Sequence, residues 1–386
     1  MREEHDVFAP TSRAIKEILD QYQGALKKTF PLSKKQREEL AWNIRDLSHG
    51  FTDSRKDREK AYLAQAKSLG AYLYFFVPWN LYRQTRLFSR LDFNWLTEAS
   101  VVIDLGSGPL TAMISLWMAQ PRLRDIPLKV VCVDKNSPSM QAGLDLLKQL
   151  ALNVTGKELA WRVSRVKAPL GTPLREKGDL VIAANVINEL DGGASKVIQA
   201  LTTRRAKGGR LLIVEPGTPP SAETLVQIRS ELIERGDILL APCPHAQECP
   251  FPGSAGKKWC HFTQETDTSP QWLQDLSKEA RLPKENASLS FMYSRDPEFI
   301  LTQPIDPVSE EGLRIISEPI KLPGEVKGYY ACHKTGMVLV KPSPKGEQQF
   351  LYPGDWLKPS MFVFQNERDG KSRAAIALYF KERKFS

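Results

Sequence analysis

The pattern of apolar and polar positions changes character near residue 100. Before it, Ile15, Ile18, Leu19, Tyr22 and Leu26 recur at helical spacing and form one apolar stripe. Ser33 and Gln36 have the spacing of a capping box ahead of a helical run over 38–47. Further helical stretches are predicted over 57–76 and 82–90. From Val101 the texture becomes short apolar runs divided by longer amphipathic ones. Residues 101–105 read as a buried strand entering a glycine turn, and 128–134, 159–166, 179–186 and 210–215 as further strands. Helices are expected over 109–118, 138–150, 194–205 and 222–235. Strands alternating with helices of about ten or more residues imply parallel pairing and a doubly wound sheet.

After residue 240 the rhythm breaks. Pro242, Pro244, Pro250 and Pro252 crowd an irregular stretch over 241–256. A helix near 270–280 and a strand over 288–293 would close the sheet. Five short β segments follow, over 328–332, 337–341, 349–352, 361–364 and 374–380, as in a small barrel or β-subdomain. The expected organisation is a helical region over 1–95, an α/β core over 96–310 with a cysteine-rich insertion at 241–265, and a β-subdomain over 311–386. The most apolar early run, 71–79, contains Pro78 and falls far short of the roughly 20 residues a membrane span needs. The charged start, Met1 to Asp6, does not read as a secretory signal.

Composition narrows the classes. Hydrophobic residues make up 41% and charged residues 26% of 386, which excludes disordered and fibrous chains. Lysine and arginine number 54 against 45 acidic residues, a net charge of +9, so an acidic partner is expected, nucleic acid first. Five cysteines in so long a chain are not a disulfide scaffold, and a reducing compartment is expected.

Asp104, Gly106, Ser107 and Gly108 stand where the first strand meets the first helix. Glycines there let a ligand approach the backbone, and the helix N-terminus favours polar or anionic groups. Asp134 ends the second strand, where a carboxylate can take both hydroxyls of a ribose. The nicotinamide fingerprint wants a third glycine, and Pro109, Leu110 and Thr111 do not supply it. This stretch resembles the class I S-adenosylmethionine-dependent methyltransferases: Asp104, Gly106 and Gly108 match their first motif, with Leu110 where a third glycine is often found. The resemblance implies a Rossmann-like core, a glycine turn contacting the methionine part of the cofactor, Asp134 on its ribose, and Asn185 beside its methyl group.

A transfer chemistry is harder to find. The Asn-Pro-Pro-aromatic loop of base amino-methylation is replaced by Asn185-Val186-Ile187-Asn188-Glu189. Covalent cytosine chemistry needs a nucleophilic cysteine, and Cys132 lies mid-strand, where it reads as a small buried hydrophobe. Asn188 and Glu189 are candidate pocket groups or helix-flanking residues.

Cys243, Cys249, Cys260 and Cys332 occur with Pro244, His245, Pro250, Trp259, His261 and Phe262. Four thiolates suit zinc or an iron–sulfur cluster. Structural zinc favours paired C-x-x-C ligands, which this chain lacks, so the wider spacing puts the cluster first. With the methyltransferase-like core, these residues resemble the bacterial and mitochondrial small-subunit methyltransferase-like assembly factors. That resemblance implies small-subunit ribosomal RNA as partner, a [4Fe-4S] cluster on the four cysteines, and residence in the bacterial cytoplasm or the mitochondrial matrix.

Lys321, Lys327, Lys334, Lys341 and Lys345 face only Glu325, and the tail carries Lys371, Arg373, Lys381, Arg383 and Lys384. With Tyr329, Tyr330, Tyr379 and Phe380 interleaved, RNA contact by phosphate pairing and stacking is one expectation. Barrel-filling aromatics and solubilising lysines are the other. Arg83, Arg86 and Arg90 form either a solvated helix face or an RNA-facing ridge. The function expected is a small-subunit assembly factor. The rivals are an active RNA methyltransferase and, more weakly, a radical enzyme using cluster and cofactor together.

Overall fold

Val101–Leu105 forms β1, the central strand of the first of two compact units, which comprises Ala9–Ala184 and Glu265–Ala287. The computed structural model describes residues 6–52, 66–187, 193–253, 258–297, 311–343 and 350–380. Beside β1 lies β2 (Lys129–Asp134), then β3 (Arg162–Lys167); on its other side lies β4 (Gly178–Ala184). Every pair is parallel, and the register sets Asp104 between Cys132 and Ile182.

The helix after β1, Thr111–Ala119, is buried along its whole length, so it lacks a polar stripe. The helix after β2, Ser137–Thr155, starts where the Asn136 side chain accepts from Ser139 N at 3.0 Å, and it stops at Gly156 in the left-handed region. The predicted stripe of Ile15, Ile18, Leu19, Tyr22 and Leu26 is buried on helix Arg13–Thr29, which packs against Ser137–Thr155. The capping box at Ser33 forms with both of its hydrogen bonds.

The predicted helix over 57–76 begins outside the described residues. Its described part is Ala66–Ala71, a π-helical turn over Tyr72–Phe76, and then helix Val77–Phe88. That last helix is a buried strut rather than a basic ridge. Tyr82 Oη donates to Glu265 O at 2.9 Å, and Arg86 Nε donates to Ala9 O at 3.0 Å. Arg86 is thus committed to backbone carbonyls, which corrects its reading as an RNA-facing cation.

The second unit comprises Met1–Phe8, Asn185–Gln264 and Ser288–Ser386. It holds β5 (Arg205–Pro216), β6 (Ile238–Ala241), β7 (Phe262–Glu265) and β8 (Asn286–Arg295). β8 runs antiparallel between β5 and β6, and β7 pairs with it. Helix Pro219–Glu234 follows β5 and packs on helix Gly193–Thr202.

Seven strands form a second sheet in this unit: β9 (Leu313–Ile315), β10 (Ile320–Lys321), β11 (Lys327–His333), β12 (Gly336–Pro342), β13 (Trp356–Leu357), β14 (Phe362–Arg368) and β15 (Ala375–Tyr379). Their order is β13-β9-β11-β12-β15-β14, with β10 on β11. The predicted strand over 349–352 is not one, over its described residues. Leu351 instead turns inward and donates its N–H to Tyr329 Oη at 3.3 Å, plugging the core of the sheet.

Candidate functional site

Five of the six predicted cofactor residues gather at the ends of β1 and β2. Gly106 N and Ser107 N donate to Val133 O at 2.8 and 3.1 Å, so the turn is tied to the neighbouring strand. Asp134 completes the tie: its Oδ2 accepts from Gly108 N at 2.9 Å and its Oδ1 from Asn136 N at 2.7 Å. Each oxygen keeps a further lone pair for a ligand. Gly106 and Gly108 have φ of 67° and 47°, a region open to glycine at no steric cost. Leu110, at the third-glycine position, adopts φ 57° with a fully buried side chain. The backbone demand for glycine therefore persists, and apolar burial of Leu110 offsets a strain of about 1–2 kcal/mol.

Two further groups hold this turn. Gly143 lies on helix Ser137–Thr155, and a Cβ there would sit 2.2 Å from the backbone C and O of Pro109. Ser139 is fully buried on the same helix. Among the described residues, Asp104 Oδ2, Ser107 Oγ and Ser139 Oγ are buried polar atoms without a hydrogen-bond partner. A native interior rarely tolerates such atoms without a purpose. Polar atoms of this kind at a glycine turn fit a polar ligand.

Burial, and then the nearby charge of Asp134, pushes the Asp104 carboxyl up from 3.8 to about 8. Between those values the unfolded chain has released the proton while the folded chain keeps it. Stability therefore falls as the pH rises from about 4 to about 8. Asp104→Asn resembles the protonated form and is expected to abolish this component. Urea midpoints at pH 5 and pH 8 check it: the wild type loses more stability than the variant over that interval.

Asn185 opens the second unit, directly after β4. Its φ is 57°, a conformation asparagine tolerates better than most residues. Its N–H donates to Val214 O at 2.8 Å, and the next two N–H groups, of Val186 and Ile187, donate to Glu215 Oε1 at 2.9 and 3.0 Å. Glu215, buried at the end of β5, thus fixes the turn that carries Asn185. Asn188 and Glu189 lie outside the described residues. Cys132 is fully buried in β2, as a core residue.

Cys243, Cys249, Cys260 and Cys332 line one pocket in the second unit. Burial raises the thiol of Cys249 to about 11 and pushes those of Cys260 and Cys332 well above the ordinary thiol range. Neighbouring thiols add to each shift, and Cys332 feels all three of the others. Among the described residues, no group of three or more His, Cys, Asp or Glu side chains is placed to hold a metal ion. The expected metal site is therefore four thiols converging on a pocket, not a formed ligand set.

The pocket also holds cations that the cysteine spacing does not reveal. Arg229, buried on helix Pro219–Glu234, donates from Nε to Cys243 Sγ at 3.3 Å and from a terminal nitrogen to His245 O and Gln247 O, both at 2.7 Å. His245 Nε2 lies 3.3 Å from Cys332 Sγ. Burial first, then Arg229 and His333, lowers His245 to about 4, so the ring is neutral at pH 7. Arg314, buried on β9, donates from Nε to Pro242 O at 3.2 Å and lies over the Trp356 ring.

The expected nucleic-acid face is only partly free. Lys321 pairs with Glu325 at 2.7 Å, Lys334 pairs with Glu311, and Lys327 lies over the Phe350 ring. Tyr329 and Tyr379 are buried core residues packed edge to face at 6.5 Å, which corrects their reading as base-stacking groups. Among the described residues of 311–380, Phe350, Tyr352 and Phe364 are exposed large aromatics. Lys345, Lys381, Arg383 and Lys384 lie outside the described residues.

Parallel strands in the order 3-2-1-4, a glycine turn after the first, an acid after the second and a late reversed strand define a Rossmann-like class I methyltransferase fold. The chain belongs to the family described as mitochondrial small ribosomal subunit Rsm22, whose model matches residues 85–334. It is accordingly a methyltransferase-like protein related to the small ribosomal subunit. A search of curated proteins found no match. Among solved structures, an O-methyltransferase family protein from Burkholderia thailandensis is 14% identical, with 72% of each chain covered and a TM-score of 0.38. A putative class I S-adenosylmethionine-dependent methyltransferase from Listeria monocytogenes is 10% identical, covering 77% of this chain and 91% of its own, with a TM-score of 0.34. Among the described residues, no helix is long and apolar enough to cross a membrane.

Proposed function

We propose that this chain is an assembly factor of the small ribosomal subunit that binds its ribosomal RNA, keeps a pocket for S-adenosylmethionine and carries a structural [4Fe-4S] cluster. The observation that carries the reading is the pocket of four thiols. It draws Cys332, on β11, to the loop cysteines 243, 249 and 260 within a chain of the small-subunit family. A cluster on these four would staple the C-terminal sheet to the core of its unit. Arg229 and the neutral His245 would supply hydrogen bonds to its sulfurs, a means by which proteins tune such centres.

Asp104, Gly106, Ser107, Gly108, Asp134 and Asn185 are the residues proposed to hold the cofactor, which supplies an electrophilic methyl group when bound. Gly106 and Gly108 admit it to the backbone. Asp134 takes its ribose with the lone pairs the turn leaves over, and Asp104 accepts from its polar end. Glu215 sets the turn bearing Asn185. Among the described residues no general base is assigned beside these groups, and RNA holding rather than methyl transfer is the function proposed. The proposed setting is the cytoplasm of a bacterium or the mitochondrial matrix of a eukaryote.

Calorimetric titration with S-adenosylmethionine and transfer of its labelled methyl group to small-subunit RNA test the assignment together. The expected result is cofactor binding that Asp134→Ala abolishes, with no label in the RNA. Label incorporated into RNA would establish the enzyme instead, and absence of cofactor binding would remove the pocket.

A further inference from the structure

A cavity of about 700 Å³ opens in the first unit, lined from helices Arg13–Thr29, Lys34–Glu38 and Gln271–Glu279. None of the residues assigned to cofactor or cluster borders it. Its size falls within the roughly 300–1,000 Å³ of small-ligand sites. Trp272 forms part of the wall. One indole face is covered by Tyr22, with centroids 6.1 Å apart and planes 3° from parallel. The indole Nε1–H is buried and has no hydrogen-bond partner among the described residues. Trp272 is half-buried and offers the cavity its ring rather than this N–H, which no water-sized group reaches.

The charges around the cavity have both signs. Lys27 and Arg37 are exposed cations, and Asp275 and Glu279 are exposed carboxylates one helical turn apart. Arg37 spends one N–H on Leu32 O at 2.6 Å, and Lys27 touches Gln23 at 3.1 Å. Tyr74, a second aromatic lining residue, is anchored by its hydroxyl to Phe30 O at 3.1 Å.

We infer that this cavity receives one unstacked nucleotide of single-stranded RNA. The base stacks on the indole of Trp272, the phosphate meets Lys27 and Arg37, and the carboxylates accept from base N–H groups. A nucleotide is the ligand class that answers a π surface and both signs of charge together. A basic peptide would meet Asp275 and Glu279 but be repelled by Lys27 and Arg37, and the net charge of +9 also favours a polyanion. The inference rests on the RNA-binding reading and adds a second place of contact to it.

Fluorescence anisotropy with labelled oligouridine and oligoadenosine, joined to 4-thiouridine crosslinking, tests it on the full chain. Trp272→Ala is expected to weaken binding roughly tenfold, because base stacking is worth about 1–3 kcal/mol, while Trp272→Phe keeps most of it. Lys27→Gln and Arg37→Gln, both exposed, are each expected to lower the salt slope by about 0.7. These two carry the test if Trp272→Ala fails to fold. Wild-type affinity and slope in every variant, with crosslinks elsewhere, would overturn the inference. Binding of oligolysine that Asp275→Asn abolishes, with RNA binding unchanged, would assign the cavity to a basic peptide and overturn it too. Absence of RNA binding by the wild type would instead overturn the broader reading.

Discussion

With the proposed cluster, the wild type is expected to be brown and to contain iron, and Cys332→Ser to be colourless. Four thiols line the pocket, and Cys332 alone of them lies on the C-terminal sheet. Serine keeps the size of the side chain but cannot replace a thiolate in a cluster. A ligand present at about a thousand times its dissociation constant stabilises the folded state by about 4 kcal/mol. Its loss corresponds to a drop in Tm of about 10 °C for a unit of this size. Cys132→Ala is the matched control, since Cys132 is buried in β2 and does not line the pocket, and it is expected to keep its iron. Iron and sulfide analysis of anaerobically purified protein, with the visible spectrum, reads the outcome. Colourless wild-type protein with about one zinc per chain would reject the cluster.

Gly143→Ala is expected to produce the second large effect. The added methyl would lie 2.2 Å from Pro109 backbone atoms, which cannot swing aside as a side chain can. Either the helix or the glycine turn must move. Overpacking of this kind costs about 1–3 kcal/mol, and a displacement of about 1 Å in a binding turn can cost a hundredfold in function. Loss of S-adenosylmethionine affinity on that scale, with a lower Tm, is expected. Gly24 provides the contrast. It also lies in a helix, but open space surrounds it, so Gly24→Ala is expected to be neutral or stabilising by about 0.5–1 kcal/mol. Equal behaviour of the two variants would show that the Pro109 contact is unimportant.

The periodic features were legible from residue order alone. The stripe on Arg13–Thr29, the parallel strands 101–105 and 129–134, and the acid near the end of each follow from local spacing and burial. What escaped was non-local. Gly143 matters because a distant helix crosses the turn, and Glu215 because β5 ends where the chain leaves β4. Arg229 reaches Cys243 from a helix with no spacing relation to the cysteines. Lys and Tyr patterns misled for the same reason: sequence shows Tyr329 and Tyr379 beside lysines, but pleating sends both rings inward. A faint signal for Glu215 did exist, since it ends the otherwise apolar run Leu211–Val214 and so placed a charge deep in the sheet.

The central claim is that this methyltransferase-like chain holds small-subunit ribosomal RNA. The most direct measurement is its affinity for a small-subunit RNA transcript, across a salt series, in competition with large-subunit RNA. A stable complex is expected whose affinity falls with salt, with a marked preference for the small-subunit transcript and weakening in Cys332→Ser protein. Equal affinity for both RNAs, or no complex at physiological salt, would contradict it.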